Sequence, residues 1–183
     1  MIFLKNKITN YYERNEMSKK AVNQTIEIIS IDTKKVLAKL RTAFADEWMA
    51  SYQYWMGAKL VHGPIRNAVV AELMQHYQEE LNHATMIANR MIQLGGDFKM
   101  FPKEWNTIGG CHYDAFSKDS MVSILQENIK GEQCAIGFYS ELLKMVEGKD
   151  VITYNMVLNI LNDEIQHNQD LNDLLLDLSM KQK

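Results

Sequence analysis

The sequence predicts an all-α protein, a four-helix bundle in up-down-down-up order with one long crossover. Three observations predict it. Turn-forming residues are confined to a few places and leave four long pieces uninterrupted between them. Those pieces are nearly equal in length. Each also carries an apolar stripe at the alternating three- and four-residue spacing of a helix that buries one face.

The breakers are Gly63-Pro64, Gly95-Gly96, Pro102, Gly109-Gly110 and Gly148, and they bound pieces at 31–62, 65–94, 118–147 and 149–180. A helix of about 30 residues is roughly 45 Å long, and four of one length suit a bundle. The first and second pieces are separated by a few residues around Gly63-Pro64, so they form an antiparallel hairpin. The third and fourth meet as closely at Gly148. Residues 95–117, with four glycines and Pro102, are long enough to run the length of the bundle and join the two hairpins.

The stripes identify the core. The first piece gives Leu37, Leu40, Phe44, Glu47, Ser51, Tyr54, Ala58 and Val61. The second gives Leu73, Tyr77, Glu80, Ala84, Ile87, Met91 and Leu94. The third gives Met121, Leu125, Asn128, Glu132, Ala135, Tyr139, Leu142 and Val146. The fourth gives Val157, Ile160, Glu164, His167, Leu171, Leu174 and Leu178. Every stripe carries one glutamate near its middle. Midpoints of equal helices share one level, so Glu47, Glu80, Glu132 and Glu164 should converge on one layer of the core. Buried unneutralised, each charge would cost several kcal/mol or so, and no lysine or arginine lies on those central turns. Protons or cations must offset them.

Two histidines extend the pattern. His83 follows Glu80 by three residues in EELNHA, and His167 follows Glu164 by three in DEIQHN. Positions three apart share a helix face. A lone Glu-x-x-His is common on exposed helices; two of them with two further mid-stripe glutamates are poorly explained by chance. One Glu from each of two helices and one Glu-x-x-His from each of the other two is the ligand set of dimetal carboxylate bundles. Carboxylate with some imidazole suits iron or manganese, with zinc another possible occupant. The candidate ligands are therefore Glu47, Glu80, His83, Glu132, Glu164 and His167.

Other residues near the stripes carry less. Tyr54 and Tyr139 lie seven residues beyond Glu47 and Glu132. They read first as aromatic core with satisfied hydroxyls, and otherwise as hydrogen-bond or electron donors at the site. His76, one turn before Glu80, is expected to be partly exposed, the alternative being an outer contact or an iron-uptake ligand. Trp48, Met49 and Trp55 flank the first stripe and should pack between helices or subunits. Gly131 and Gly137 inside the third piece suggest a close neighbour that needs room. Nothing argues for haem, for which Met49 and Met56 qualify by type alone.

Composition bounds the rest. With 46% hydrophobic and 23% charged residues, the chain is globular. It has no apolar run of the roughly 18 residues that a membrane span needs, and MIFLKNKITNYYERN does not read as a secretory signal. Residues 1–30 read as a basic extension, 31–180 as the bundle and 181–183 as a C-terminal end. Residues 1–24 hold five basic side chains against two acidic ones, a solvated tail by preference and a possible DNA contact otherwise. The net charge of −3 and pI near 6.0 argue against holding nucleic acid by bulk charge. The two cysteines, Cys111 and Cys134, are too few for a disulfide scaffold, and the compartment expected is the cytoplasm. Cys134, two residues past Glu132, points about 200° away from it and is no ligand of that centre. Cys111 lies in the crossover, where pairing with Cys134 would staple the loop to the third helix. Free thiols are the cytoplasmic norm, so the residues leave both states open.

Over nearly all of residues 31–180 the chain resembles the ferritin-like superfamily, and within it the Dps-like thioferritins. The likeness rests on ADEWMASYQYWMGAKLVHGP, EELNHATMIANRMIQLGG, ENIKGEQCAIGFYSELL and NDEIQHNQDL. It implies a ferritin-like up-down-down-up bundle with metal ligands at Glu47, Glu80, His83, Glu132, Glu164 and His167. It also implies a bonded thiol pair at Cys111 and Cys134. The implied function is a ferroxidase that oxidises Fe(II) with hydrogen peroxide or oxygen and stores Fe(III) in a twelve-subunit cage. Nothing remains after residue 183 for a fifth helix, which fits the smaller shell. Two other readings are a dimanganese or di-iron catalase or oxidase, and a DNA-compacting protein acting through its tail.

Overall fold

The computed structural model describes residues 27–112, 116 and 120–180. Helix α1, Thr33–Leu60, starts where the Asp32 side chain accepts a hydrogen bond from the Lys34 amide at 3.0 Å. Helix α2, Arg66–Gln93, ends in a paired cap: the Gly96 amide bonds Met91 O and the Gly95 amide bonds Ile92 O. Gly95 supplies the positive φ of 73° that this cap needs. A single 3₁₀ turn, Pro102–Glu104, leads into the short helix α3, Trp105–Ile108. Helix α4, Met121–Val146, is capped by the Ser120 hydroxyl, and α5, Val151–Met180, by Asp150, which accepts from the Thr153 amide. Among the described residues there is no strand, and no helix is long and apolar enough to cross a membrane.

The crossover is fastened to α1 along its way. Arg41 donates to the carbonyls of Asp97 and Lys99, Phe98 meets Phe44 edge-on, and Trp105 stacks on Trp48 at 5.6 Å. Trp48 thus packs against the crossover. Further on, Asp46 accepts from the Gly110 and Cys111 amides, both at 3.0 Å. A Cβ at Gly109 would stand 2.3 Å from the Met49 methyl and 2.5 Å from Asp46 Oδ1, the oxygen that accepts from the Cys111 amide, so glycine here leaves Asp46 room to hold the loop. Ser120 pairs with His62 at the far end. The loop has by then travelled the length of the bundle.

The apolar core is divided in two. One cluster centres on Leu40, Phe44, Ile87, Met91, Leu142 and Ile160. The other centres on Val61, Val69, Leu73, Ile124, Leu125 and Leu171. Between them lies a layer of buried polar side chains: Glu47, Glu80, His83, Glu132, Glu164 and His167. The buried line of α2 passes through Leu73, His76 and Glu80, with Tyr77 only half-buried. His76 is fully buried, not partly exposed as expected, because α2 is turned by about one residue relative to the simple stripe. Gly131 and Gly137 also differ from expectation. A Cβ at either would meet nothing within 4 Å.

Candidate metal centre

Four helices each bring one glutamate to the polar layer. Glu47 comes from α1, Glu80 and His83 from α2, Glu132 from α4, and Glu164 and His167 from α5. Their ligand atoms fall into two overlapping groups. Glu47, Glu80, His83 and Glu164 offer atoms within 4.8 Å of one another, and so do Glu80, Glu132, Glu164 and His167. Glu80 and Glu164 belong to both groups. Each group, with the two shared carboxylates, one further carboxylate and one imidazole, has the donors that could hold one metal ion.

The donor set fits cations better than it fits itself. His83 Nδ1 stands 3.2 to 3.4 Å from oxygens of Glu164, Glu80 and Glu47. One ring nitrogen carries at most one proton and cannot satisfy three carboxylates. Accordingly Glu47 Oε2, Glu80 Oε1, Glu132 Oε2, Glu164 Oε1 and His167 Nδ1 are buried without a hydrogen bond. Buried polar atoms of this kind are rare unless a metal completes them. Burial alone would lower the His83 and His167 pKa values. The carboxylates outweigh burial, Glu164 first for His83 and Glu132 first for His167, and hold both imidazoles protonated well above the ordinary range. Burial and then the Glu164 charge push Glu132 well above the usual carboxylate range. Shared protons thus offset the like charges of this layer.

Hydrogen bonds from outside the layer orient four of the six side chains. Tyr54 on α1 donates to Glu132 on α4, and Tyr139 on α4 donates to Glu47 on α1. The two tyrosines are thus donors at the centre as well as core residues. Burial, then the nearby carboxylates, raises both phenols far above their usual pKa, so they stay protonated and keep donating. His83 Nε2 lies 3.1 Å from Asp163, and His167 Nε2 lies 2.8 Å from Glu79. These outer acids turn each Nδ1 towards the centre. Sequence reasoning missed Glu79 and Asp163. The signal was present, an acid directly before each Glu-x-x-His, but each serves the histidine of the other helix.

A family model described as Ferritin-like domain matches residues 37–180. The chain belongs to this family. It is similar to a dodecameric thioferritin, the bacterioferritin-related protein of Bacteroides fragilis, with 37% identity, 90% of this chain and 96% of that chain covered, and a TM-score of 0.84. It is also 29% identical over 153 residues to the DNA protection during starvation protein of Pyrococcus furiosus, covering 82% of each. Dps from Thermosynechococcus elongatus shares the fold at 15% identity, with a TM-score of 0.73 over 78% of this chain and 90% of that one.

In this ferritin-like chain a cleft between α1 and α4 reaches the paired centre. It is lined by Ala50, Gln53, Gly131 and Ala135, with the carboxylates at its floor and Cys111 at its rim. Gly131 keeps the floor uncovered, which accounts for the empty space at its missing side chain. Cys111 and Cys134 are bonded to each other, tying the crossover to the outer side of α4 beside this cleft. Asp46 sets the register of that tie through the two amides it accepts. On the α2–α5 side, His76 lies under the centre, its ring stacked on His167 at 4.0 Å. Burial, then the charge on His167, lowers its pKa to about 3. Residues 1–24, with their excess of basic charge, lie outside the described residues.

Proposed function

We propose that the protein is a ferroxidase and iron store that oxidises Fe(II) with hydrogen peroxide, or with oxygen, and protects against oxidative stress. The observation that carries this reading is the pair of overlapping ligand groups sharing Glu80 and Glu164, with unsatisfied atoms directed into both. Iron here is substrate and cargo. Glu47 and His83 would hold one Fe(II), Glu132 and His167 the other, and Glu80 and Glu164 would bridge them. Manganese or zinc would fit the same ligands.

Each Fe(II) gives up one electron. One hydrogen peroxide takes both electrons with two protons, its O–O bond breaks, and two waters leave. Two electrons delivered together avoid the hydroxyl radical that a single one would release. Tyr54 and Tyr139 hold the unshared carboxylates in place, and Asp163 and Glu79 hold the imidazoles. The cleft at Gly131 and Gln53 gives a small oxidant access from the α1–α4 side.

The Bacteroides fragilis relative is a dodecamer, which supports a twelve-subunit cage for this chain. On this reading oxidised iron is kept inside the cage and the protein works in the cytoplasm. Anaerobic Fe(II) titration of the assembled protein followed by peroxide tests the reading. Oxidation of about two Fe(II) per peroxide, with many irons retained per chain on size exclusion, is expected. Peroxide turnover with no iron retained would replace it with a catalase. A gel shift lost on deleting residues 1–24, without ferroxidation, would favour DNA compaction.

A further inference from the structure

The α2–α5 face, opposite the cleft, carries a second arrangement of donors that the paired centre does not use. His76 is fully buried, and neither of its ring nitrogens makes a hydrogen bond. Its Nε2 lies 3.2 Å from Glu72 Oε1 and 3.7 Å from Asp170 Oδ2, and the three ligand atoms fall within 4.8 Å of one another. The two carboxylates are 29% and 27% exposed, so the buried imidazole sits at the bottom of a mouth open to water.

Register sets this group beside the centre. Between the antiparallel α2 and α5, His83 meets Asp163, Glu79 meets His167, and His76 meets Asp170. Each step back along α2 is matched by an equal step forward along α5. In the first two pairs the imidazole turns its second nitrogen to the paired centre. In the third, the nitrogen facing the acids lacks the geometry of a hydrogen bond. A buried donor or acceptor without a partner is destabilising, and an apolar residue at position 76 would have avoided it. Two ligand atoms held about 2.1 Å from one ion stand roughly 3.0–3.4 Å apart, close to the separations found here.

We propose that Glu72, His76 and Asp170 form a third cation site on the α2–α5 face, which takes a divalent transition-metal ion. One imidazole and two carboxylates suit Fe(II), Mn(II), Co(II) or Zn(II), whereas Ca²⁺ and Mg²⁺ prefer oxygen alone. Three protein ligands leave positions for water, so the ion is exchangeable. Its ligand His76 stacks on His167, which places the ion one ring from the paired centre. The site goes beyond the ferroxidase reading and stands or falls separately from it.

Crystals of the metal-free assembly soaked in Co(II) test this by anomalous scattering, which reads each position by itself. A peak beside His76 Nε2, in addition to the paired centre, is expected. Glu72→Gln with Asp170→Asn, isosteric changes at partly exposed positions, should remove that peak alone and lower the calorimetric Co(II) stoichiometry by one ion per chain. Absence of the peak in the unaltered protein at saturating Co(II), or its persistence in the double variant, would overturn the proposal. A filled third site beside an empty paired centre would instead count against the ferroxidase reading.

Discussion

The Tyr54 hydroxyl on α1 donates to the Glu132 carboxylate on α4, and Tyr139 returns the same bond to Glu47. Each unshared glutamate is thus held by a phenol from the opposite hairpin. Removing one such outer bond typically lowers metal affinity about 10–100-fold. Tyr54→Phe should therefore weaken the ion held by Glu132 and His167 by roughly 10-fold while the other position binds as before. Zn(II) titration calorimetry resolves the two; equal weakening of both, or of neither, would contradict this pairing.

The shared carboxylates should behave differently from the unshared ones. Glu47→Gln removes a ligand from one position and is expected to leave one Co(II) bound in the centre. Glu80→Gln strikes both groups and should abolish paired binding. Cobalt absorption spectra with stoichiometry separate the two outcomes, and identical losses in both variants would refute bridging by Glu80.

Metal must displace protons from the centre. His83, His167 and Glu132 all hold protons above their ordinary ranges in the metal-free layer. Affinity should consequently rise with pH, and loading should release protons to the buffer. Calorimetry in buffers of different ionisation enthalpy measures the number released, and zero release at neutral pH would be the contrary result.

At the end of the bundle, Arg90 on α2 forms a buried two-pronged pair with Asp150, at 2.7 and 2.9 Å, and also donates to Thr153. Burial opposes the Asp150 charge, but the Thr153 and Arg90 bonds outweigh it and lower the pKa below its ordinary value. A lowered carboxyl contributes stability above its unfolded pKa of about 3.9 that is lost as pH falls through the folded value. Arg90→Ala leaves that buried charge with no cation beside it, only its Thr153 bonds, and should cost about 3–5 kcal/mol. Thermal unfolding at neutral pH reads the cost. Unfolding near pH 3 should show a smaller difference between variant and parent, because the pair is already weakened there.

The four long helices, their connection order and the level of the polar layer were legible in the chain because each follows from local rules; the short α3 inside the crossover was not among them. Gly63-Pro64, Gly95-Gly96 and Gly148 end helices whatever lies around them. Period and midpoint then bring Glu47, Glu80, Glu132 and Glu164 to one height, with His83 and His167 one turn along. A stripe read at three- and four-residue steps leaves the helix free to turn by about one residue, or 100°. For that reason Tyr77 took the place in the stripe that His76 occupies in the fold.

Which partner a side chain serves across helices had no such local signature. Glu79 and Asp163 serve histidines on each other's helix, Tyr54 and Tyr139 serve glutamates on each other's hairpin, and Asp46 anchors a loop some sixty residues away in the chain. The residues likewise left Cys111 and Cys134 open between thiols and a bond until the path of the crossover brought them together. Periodicity along one chain says which face of a helix is buried. Which neighbour that face meets, and in what register, depends on packing four helices at once, and that is settled only when they assemble.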